Sequence, residues 1–252
     1  MEPFKERLAL MLAETGALFF DEGLVLKDGR PTPYFVNTAV FRTGRLSLAL
    51  GGFFAEMLLF HGLAQRADIL LGPSYKGSAI ALSTAMALWE EHGHDLLVDY
   101  DRKEAKVHGE ASRHQSLFVN STLFDGCRIV VLDDVDTSMA TKYELLEKLD
   151  QEARSRGISY TVLGVVIAVD REQTSAVYDP QGRLLLGCKG VHAVSEFTKK
   201  TGIPVYAVVG IREVVGFLYK QRVPLLISGQ RRPMDRRTKE AFDGYLETYG
   251  AA

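Results

Sequence analysis

Asp133 and Asp134 follow directly on an apolar run at 129–132, and the hydroxyl residues Thr137, Ser138 and Thr141 come next, in the stretch RIVVLDDVDTSMAT. Ile129, Val130 and Val131 are β-branched, which suits a buried parallel strand. A helical pattern then runs from about 142 to 156. A strand that ends in paired carboxylates, then a short polar loop, then a helix N-terminus can hold a phosphorylated ligand. The loop amides and the positive end of the helix dipole attract phosphate. Carboxylates at the strand end can take sugar hydroxyls or bound Mg²⁺.

A second cluster, YDRKEAKVHGE, places Arg102, Lys103, Lys106 and His108 within seven residues of one another. It belongs to a polar stretch, 101–116, that has no apolar periodicity. Long stretches of that kind in compact domains are usually functional or disordered. Most charge runs are simply solvated faces. This one follows a strand end, and its cations complement the acids and phosphates expected beside it. A departing pyrophosphate gathers negative charge as its bond to a sugar breaks, and preplaced cations stabilise that charge where it develops. Gly109 gives the stretch the backbone freedom of a segment that closes over a ligand.

The elements that must position these residues alternate between strand and helix. A helix is expected over 4–15, ended by Gly16. A hairpin follows, with strands at 24–26 and 34–36 about an Asp28-Gly29 turn, and then a helix over 44–62. From residue 68 onward, strands are expected at 68–71, 95–100, 129–132, 160–169 and 205–209. Helices are expected at 78–92, 142–156, 191–201 and 211–219, with a further one at 236–249 in the tail. This order predicts an α/β fold with a mostly parallel central sheet flanked by helices. In such sheets ligands bind beyond the carboxyl ends of the strands. GPSYKG at 72–77, the 101–116 stretch, the twin acids and Asp170-Arg171 all fall at such ends.

Composition excludes several classes. The chain has 252 residues, is 46% hydrophobic and carries a net charge of -2, so nothing in the balance pulls it toward nucleic acid or an anionic membrane. The tail arginines Arg231, Arg232, Arg236 and Arg237 are interleaved with acids. No apolar run approaches a membrane span. The start, MEPFKERLALML, reads as an amphipathic helix rather than a signal peptide. Cys127 and Cys188 have no metal-type spacing, and a reducing cytoplasm fits. His61, His92, His94, His114 and His192 form no ligand or triad pattern.

RKEAKVHGE resembles the mobile catalytic loop of orotate phosphoribosyltransferases, and VVLDDVDTSMAT resembles the PRPP-binding motif of the wider type I phosphoribosyltransferases. LKDGRPTPYF is similar to that family's N-terminal hairpin, GPSYKG to its pyrophosphate loop and DREQ to its Asp-Arg segment, all in the family's order. The resemblance implies a type I phosphoribosyltransferase fold over 1–220, with a small hood at about 1–45 and an extension at 221–252. It implies a homodimer that binds PRPP and orotate, releases pyrophosphate, and uses Mg²⁺ held mainly through PRPP and waters rather than by a protein metal site. Lys27 would reach PRPP, and Tyr75 and Lys76 would meet its pyrophosphate. Arg102, Lys103, Lys106 and His108 would close over that group, Lys103 serving the partner's site. Asp133 and Asp134 would hold the ribose hydroxyls. Val135, Asp136, Thr137, Ser138, Met139, Ala140 and Thr141 would wrap the 5-phosphate. Phe35, Val36, Thr137 and Arg171 would form the orotate site, the guanidinium gripping the carboxylate with parallel hydrogen bonds.

The chain departs from the family pattern in places. Asp136 stands where an aliphatic is usual, Met139 where glycine is usual and Val36 in place of a second aromatic. If position 139 needs positive φ, Met139 costs roughly 1 kcal/mol or more there. The insertion DPQGRLLLGCKG and the tail beyond Lys220 exceed the compact bacterial form. The rival readings are a related transferase for another base and a PRPP sensor without turnover. The first has no use for Arg171, and the second has little need of RKEAKVHGE.

Overall fold

The structure is a computed structural model that describes residues 1–103, 116–135 and 138–251. The chain opens with α1 (Pro3–Thr15), β1 (Leu18–Phe20), β2 (Tyr34–Val36), a short 3-10 helix (Thr38–Val40) and α2 (Gly44–Phe60). The alternating body comprises β3 (Ile69–Gly72), α3 (Lys76–His92), β4 (Leu97–Tyr100), β5 (Cys127–Val135), α4 (Ala140–Arg156), β6 (Tyr160–Asp170), α5 (Ala193–Thr201), β7 (Val205–Gly210) and α6 (Ile211–Lys220). The tail adds β8 (Pro224–Ile227), β9 (Gln230–Pro233) and α7 (Arg236–Tyr249). Among the described residues, no helix is long and apolar enough to cross a membrane.

The main sheet runs β4-β3-β5-β6-β7 and is parallel throughout. Its middle strands are covered on both faces, which is why they read as apolar runs rather than alternating ones. Strand β5 shows the consequence. Val130 and Leu132 enter the core shared with α1, α2, α3 and α6, whereas Ile129 and Val131 enter the core shared with α4 and α5. Each fully buried Val, Leu or Ile of this kind contributes about 1.5–3 kcal/mol.

A smaller sheet, β2-β1-β8-β9, forms the hood. The strand expected at 24–26 is not its partner for β2. That role falls to β1, antiparallel, with Leu18 opposite Val36 and Phe20 opposite Tyr34. Leu18 and Phe20 are buried, whereas Val25 is exposed and makes only an isolated bridge to Pro31. The Asp28-Gly29 turn forms as expected, with Gly29 at φ 89° and the Leu26 N–H donating to the Arg30 carbonyl at 2.8 Å. Beyond residue 220 the tail builds into the hood. Strand β8 pairs parallel with β1, and Phe242 of α7 packs edge-on against Tyr34 at 5.3 Å.

Candidate active site

Strand β5 delivers Asp133 and Asp134 at its carboxyl end, beside the ends of β3 and β6. Because side chains alternate across a strand, the two acids point to opposite faces. Asp133 turns toward α4, where the buried Lys142 ammonium donates to it at 2.6 Å. Burial pushes the Asp133 carboxyl up, against the pull of Lys142. Asp134 turns toward α3 and the hood, and accepts from Lys76 Nζ at 2.7 Å and from Thr38 Oγ1 at 2.6 Å. Burial alone would raise the Asp134 pKa. The hydrogen bonds from Lys76, Thr38 and the Val135 N–H outweigh it and hold the carboxyl below the usual range.

The GPSYKG loop faces these acids from the end of β3. Gly72 and Gly77 are required by close approach. A Cβ on Gly72 would stand 2.0 Å from the Gly77 carbonyl oxygen, and one on Gly77 would stand 2.7 Å from that of Leu132. Without them the loop could not fold back far enough to start α3 at Lys76. The loop is fastened to the segment after β4. The Ser74 N–H donates to Asp101 at 2.6 Å, and the Ser74 hydroxyl donates to the Asp101 carbonyl at 2.6 Å. Lys148 of α4 donates to the Asp101 carboxylate and, at 2.9 Å, to the Arg102 carbonyl. Arg102 is half-buried and Lys103 exposed. The Arg102 N–H donates to the Leu117 carbonyl at 2.8 Å, so both flanks of the cationic stretch start from one point. Lys106 and His108 lie outside the described residues, as do Asp136 and Thr137.

Past β5 the chain turns at Met139, which has φ 58° and ψ 10°, and α4 begins at Ala140. The left-handed turn is made without glycine. Met139 is fully buried, in the core shared with α4 and α5. Asp133, Asp134, Val135, Ser138 and Thr141 line one side of a cleft of about 300 Å³, and Ser74, Tyr75 and Lys76 line the other. Acids, an ammonium and a helix N-terminus therefore converge on one volume, the combination a magnesium-bound sugar phosphate needs. Ala140 is exposed at the start of α4, immediately beside that cleft.

A second cavity, about 550 Å³, lies on the hood side and shares Ser138 with the first. Lys27, Phe35 and Arg171 line it. Arg171 is only 6% exposed, yet its Nε and Nη2 have no hydrogen-bond partner among the described residues. Its guanidinium sits 5.6 Å from the Tyr34 ring centroid and 5.8 Å from that of Phe35. Buried N–H donors left unpaired cost roughly 1–3 kcal/mol each, so they are groups that wait for an acceptor. A planar carboxylate matches that fork. Lys27 faces this cavity rather than the cleft. Val36 is not among its lining residues; its side chain alternates away from that of Phe35 and packs in the larger core.

Four contributors were not identified from sequence. Thr38 clamps Asp134, and Lys148 and Asp101 anchor the GPSYKG loop. Arg30, nearly fully buried, donates to Asp28 Oδ2 at 2.7 Å and to the Thr174 carbonyl at 2.7 Å behind the second cavity. Only Arg30 carried a signal, the Gly-Arg pair after the turn. The others are polar residues whose partners are remote in sequence.

No family model matches the chain. It is 32% identical over 250 residues to the orotate phosphoribosyltransferase of Chromohalobacter salexigens, covering 99% of this chain and 96% of that protein. It is 34% identical over 250 residues to the orotate phosphoribosyltransferase of Bifidobacterium adolescentis, covering 97% of each. Among solved structures, the orotate phosphoribosyltransferase of Francisella tularensis superposes with a TM-score of 0.71 at 24% identity, over 97% of this chain and 98% of that one. With near full-length similarity joined to this cleft and fold, the chain belongs to the orotate phosphoribosyltransferase family.

Proposed function

We propose that the chain transfers ribose 5-phosphate from PRPP to N1 of orotate, giving orotidine 5'-monophosphate and pyrophosphate, a step in the synthesis of UMP. The observation that carries this reading is the junction at Ser138. There an acid-and-ammonium cleft meets a cavity whose buried guanidinium has two nitrogens without a partner among the described residues. A base with a carboxylate pairs both Arg171 nitrogens and balances its buried charge, whereas neutral uracil, adenine or hypoxanthine leaves that charge uncompensated.

The bond from C1 of the ribose to the pyrophosphate oxygen breaks, and its electron pair leaves with pyrophosphate. The N1 lone pair of orotate forms the new bond to C1, and the N1 proton is released. Positive charge on C1 in the transition state calls for position more than for covalent help. Asp134 would hold the ribose hydroxyls after exchanging Lys76 and Thr38 for them, and Lys76 would then be free to meet pyrophosphate. Asp133, tied to Lys142, would chiefly keep the strand end and the start of α4 together. The amides at the start of α4 would take the 5-phosphate, the Ala140 N–H giving up its 3.4 Å bond to the Ser138 hydroxyl. Arg102 and Lys103, with Lys106 and His108, would neutralise the leaving group.

Among the described residues no three acids, histidines or cysteines converge to hold a metal. The donor set beside the cleft, led by Asp134, fits Mg²⁺ carried by ligand oxygens and water. When bound with PRPP, that ion would add positive charge at the pyrophosphate oxygens. A homodimer is supported by α3, which exposes Leu82, Met86 and Trp89 at helical spacing beyond Tyr75 of the cleft loop. Residues 101–103 leave β4, the edge strand of the sheet, so Lys103 would serve the partner's cleft. The two described cysteines are free, which suits the cytoplasm.

The direct assay follows orotate absorbance with PRPP and Mg²⁺, beside uracil, adenine and hypoxanthine. Consumption of orotate alone is expected. Turnover of a base without a carboxylate, or no turnover at all, would overturn the reading.

A further inference from the structure

The segment after Arg171 leads into the DPQGRLLLGCKG insertion, and its residues just ahead of that insertion form a wall of the Arg171 cavity. Ser175, Ala176 and Tyr178 line that cavity from one side, and Leu26, Lys27 and Asp28 of the hood turn line it from another. The Tyr178 ring is half-exposed, and its hydroxyl donates to the Asp28 carbonyl at 3.3 Å, so it joins the two rims.

The wall is ordered from both ends. At its tip, the Asp179 N–H donates to the Arg183 carbonyl at 2.9 Å and the Leu185 N–H donates to that of Val177 at 2.8 Å, closing a turn with Tyr178 bridged to Leu184. At its base, the Thr174 N–H donates to the Tyr249 carbonyl at 2.7 Å, and the Gly187 N–H donates to the Tyr249 hydroxyl at 2.9 Å. Arg30 holds the Thr174 carbonyl from the hood side, with its guanidinium 5.5 Å from the Tyr249 ring. The last turn of α7 therefore braces the chain at Thr174, ahead of Tyr178, and at Gly187, inside the insertion that follows it. Tyr178 thus presents a flat, polarisable face to the cavity that holds the unpartnered Arg171 nitrogens, the kind of surface a flat heterocycle stacks on.

We propose that Tyr178 is a specificity-determining residue. It bars the mouth of the base cavity, so that a carboxylate-bearing pyrimidine with no large substituent at C5 is favoured over one enlarged there. The inference rests on Arg171 marking the base site. It gives the residue at the foot of the insertion a role in choosing the base, and the insertion and tail a role in holding that residue in place.

The test compares wild type with Tyr178→Ala and Tyr178→Phe, using orotate and 5-iodoorotate as bases. For Tyr178→Ala, the KM for orotate should rise about tenfold and the preference for orotate over 5-iodoorotate should fall by about the same factor, the range one packing contact supplies. The KM for PRPP should stay within about twofold, because Tyr178 lines the base cavity and not the sugar-phosphate cleft. Tyr178→Phe keeps the ring and loses the bond to Asp28, and should fall between the two. An unchanged preference in Tyr178→Ala, or a parallel rise in the KM for PRPP, would overturn the proposal. If wild type consumed no orotate, the proposed function itself would fail. Wild-type turnover with an indifferent Tyr178 series would sink this inference alone.

Discussion

Replacing Met139 sets two structural terms against each other. At φ 58° the residue occupies the left-handed region, which costs a side chain with a Cβ roughly 1–2 kcal/mol. Its side chain is also fully buried, in the core with Leu145, Leu149 and Phe197. Removing a buried methionine side chain costs about 2–5 kcal/mol, cavity included. Met139→Ala loses the packing and keeps the strain, so it should destabilise by about 2–4 kcal/mol. Met139→Gly loses the same packing but recovers about 1–2 kcal/mol of strain, leaving a net loss of about 1–3 kcal/mol. The expected order of stability is wild type, then glycine, then alanine. Urea unfolding reads it directly, as midpoints that shift at constant slope. A glycine variant more stable than wild type would mean that strain outweighs packing. An alanine variant equal to the glycine variant would mean that the turn at 139 is not left-handed. Either result refutes the reasoning, and with it the idea that buried packing replaces the family's usual glycine.

Two further outcomes are expected. Asp134 has a depressed pKa in the folded chain, so its favourable interactions are fully present above the ordinary carboxylate range and are lost as pH falls through the depressed value. Thr38→Val removes one of the hydrogen bonds that depress it, so the acid limb of kcat/KM for PRPP should move to higher pH; an unmoved limb would detach Thr38 from Asp134. Lys106→Ala should cut turnover by roughly two orders of magnitude or more and leave thermal unfolding unchanged, since its work is at the leaving group. Full turnover in that variant would remove the cationic stretch from the mechanism.

The parallel body was legible because its inner strands are covered on both faces. The runs ending at Leu132 and Val169 declared themselves, and Gly16 marked the end of α1. The twin acids were legible as a pair, but their division of labour was not. That division follows from alternation along β5 once Val130 and Leu132 are known to face α2 and α3. The hood was misread where two apolar trios competed. LFF at Leu18–Phe20 won because both of its inward side chains find the core, whereas Val25 does not. The pairing of β8 with β1 joins positions about 200 residues apart, so no local pattern could announce it. The same is true of Lys148 and Asp101, and of Tyr249 and Gly187.

The account turns on Arg171 as the base-recognition group, separate from the sugar-phosphate cleft. Calorimetry of PRPP binding, paired with orotate turnover, in wild type and Arg171→Gln tests it most directly. The account predicts that PRPP binding is unchanged while kcat/KM for orotate falls roughly a hundredfold, the loss of a bidentate charge-assisted pair. If PRPP binding and orotate turnover declined together, or if neither changed, Arg171 would not be the base site.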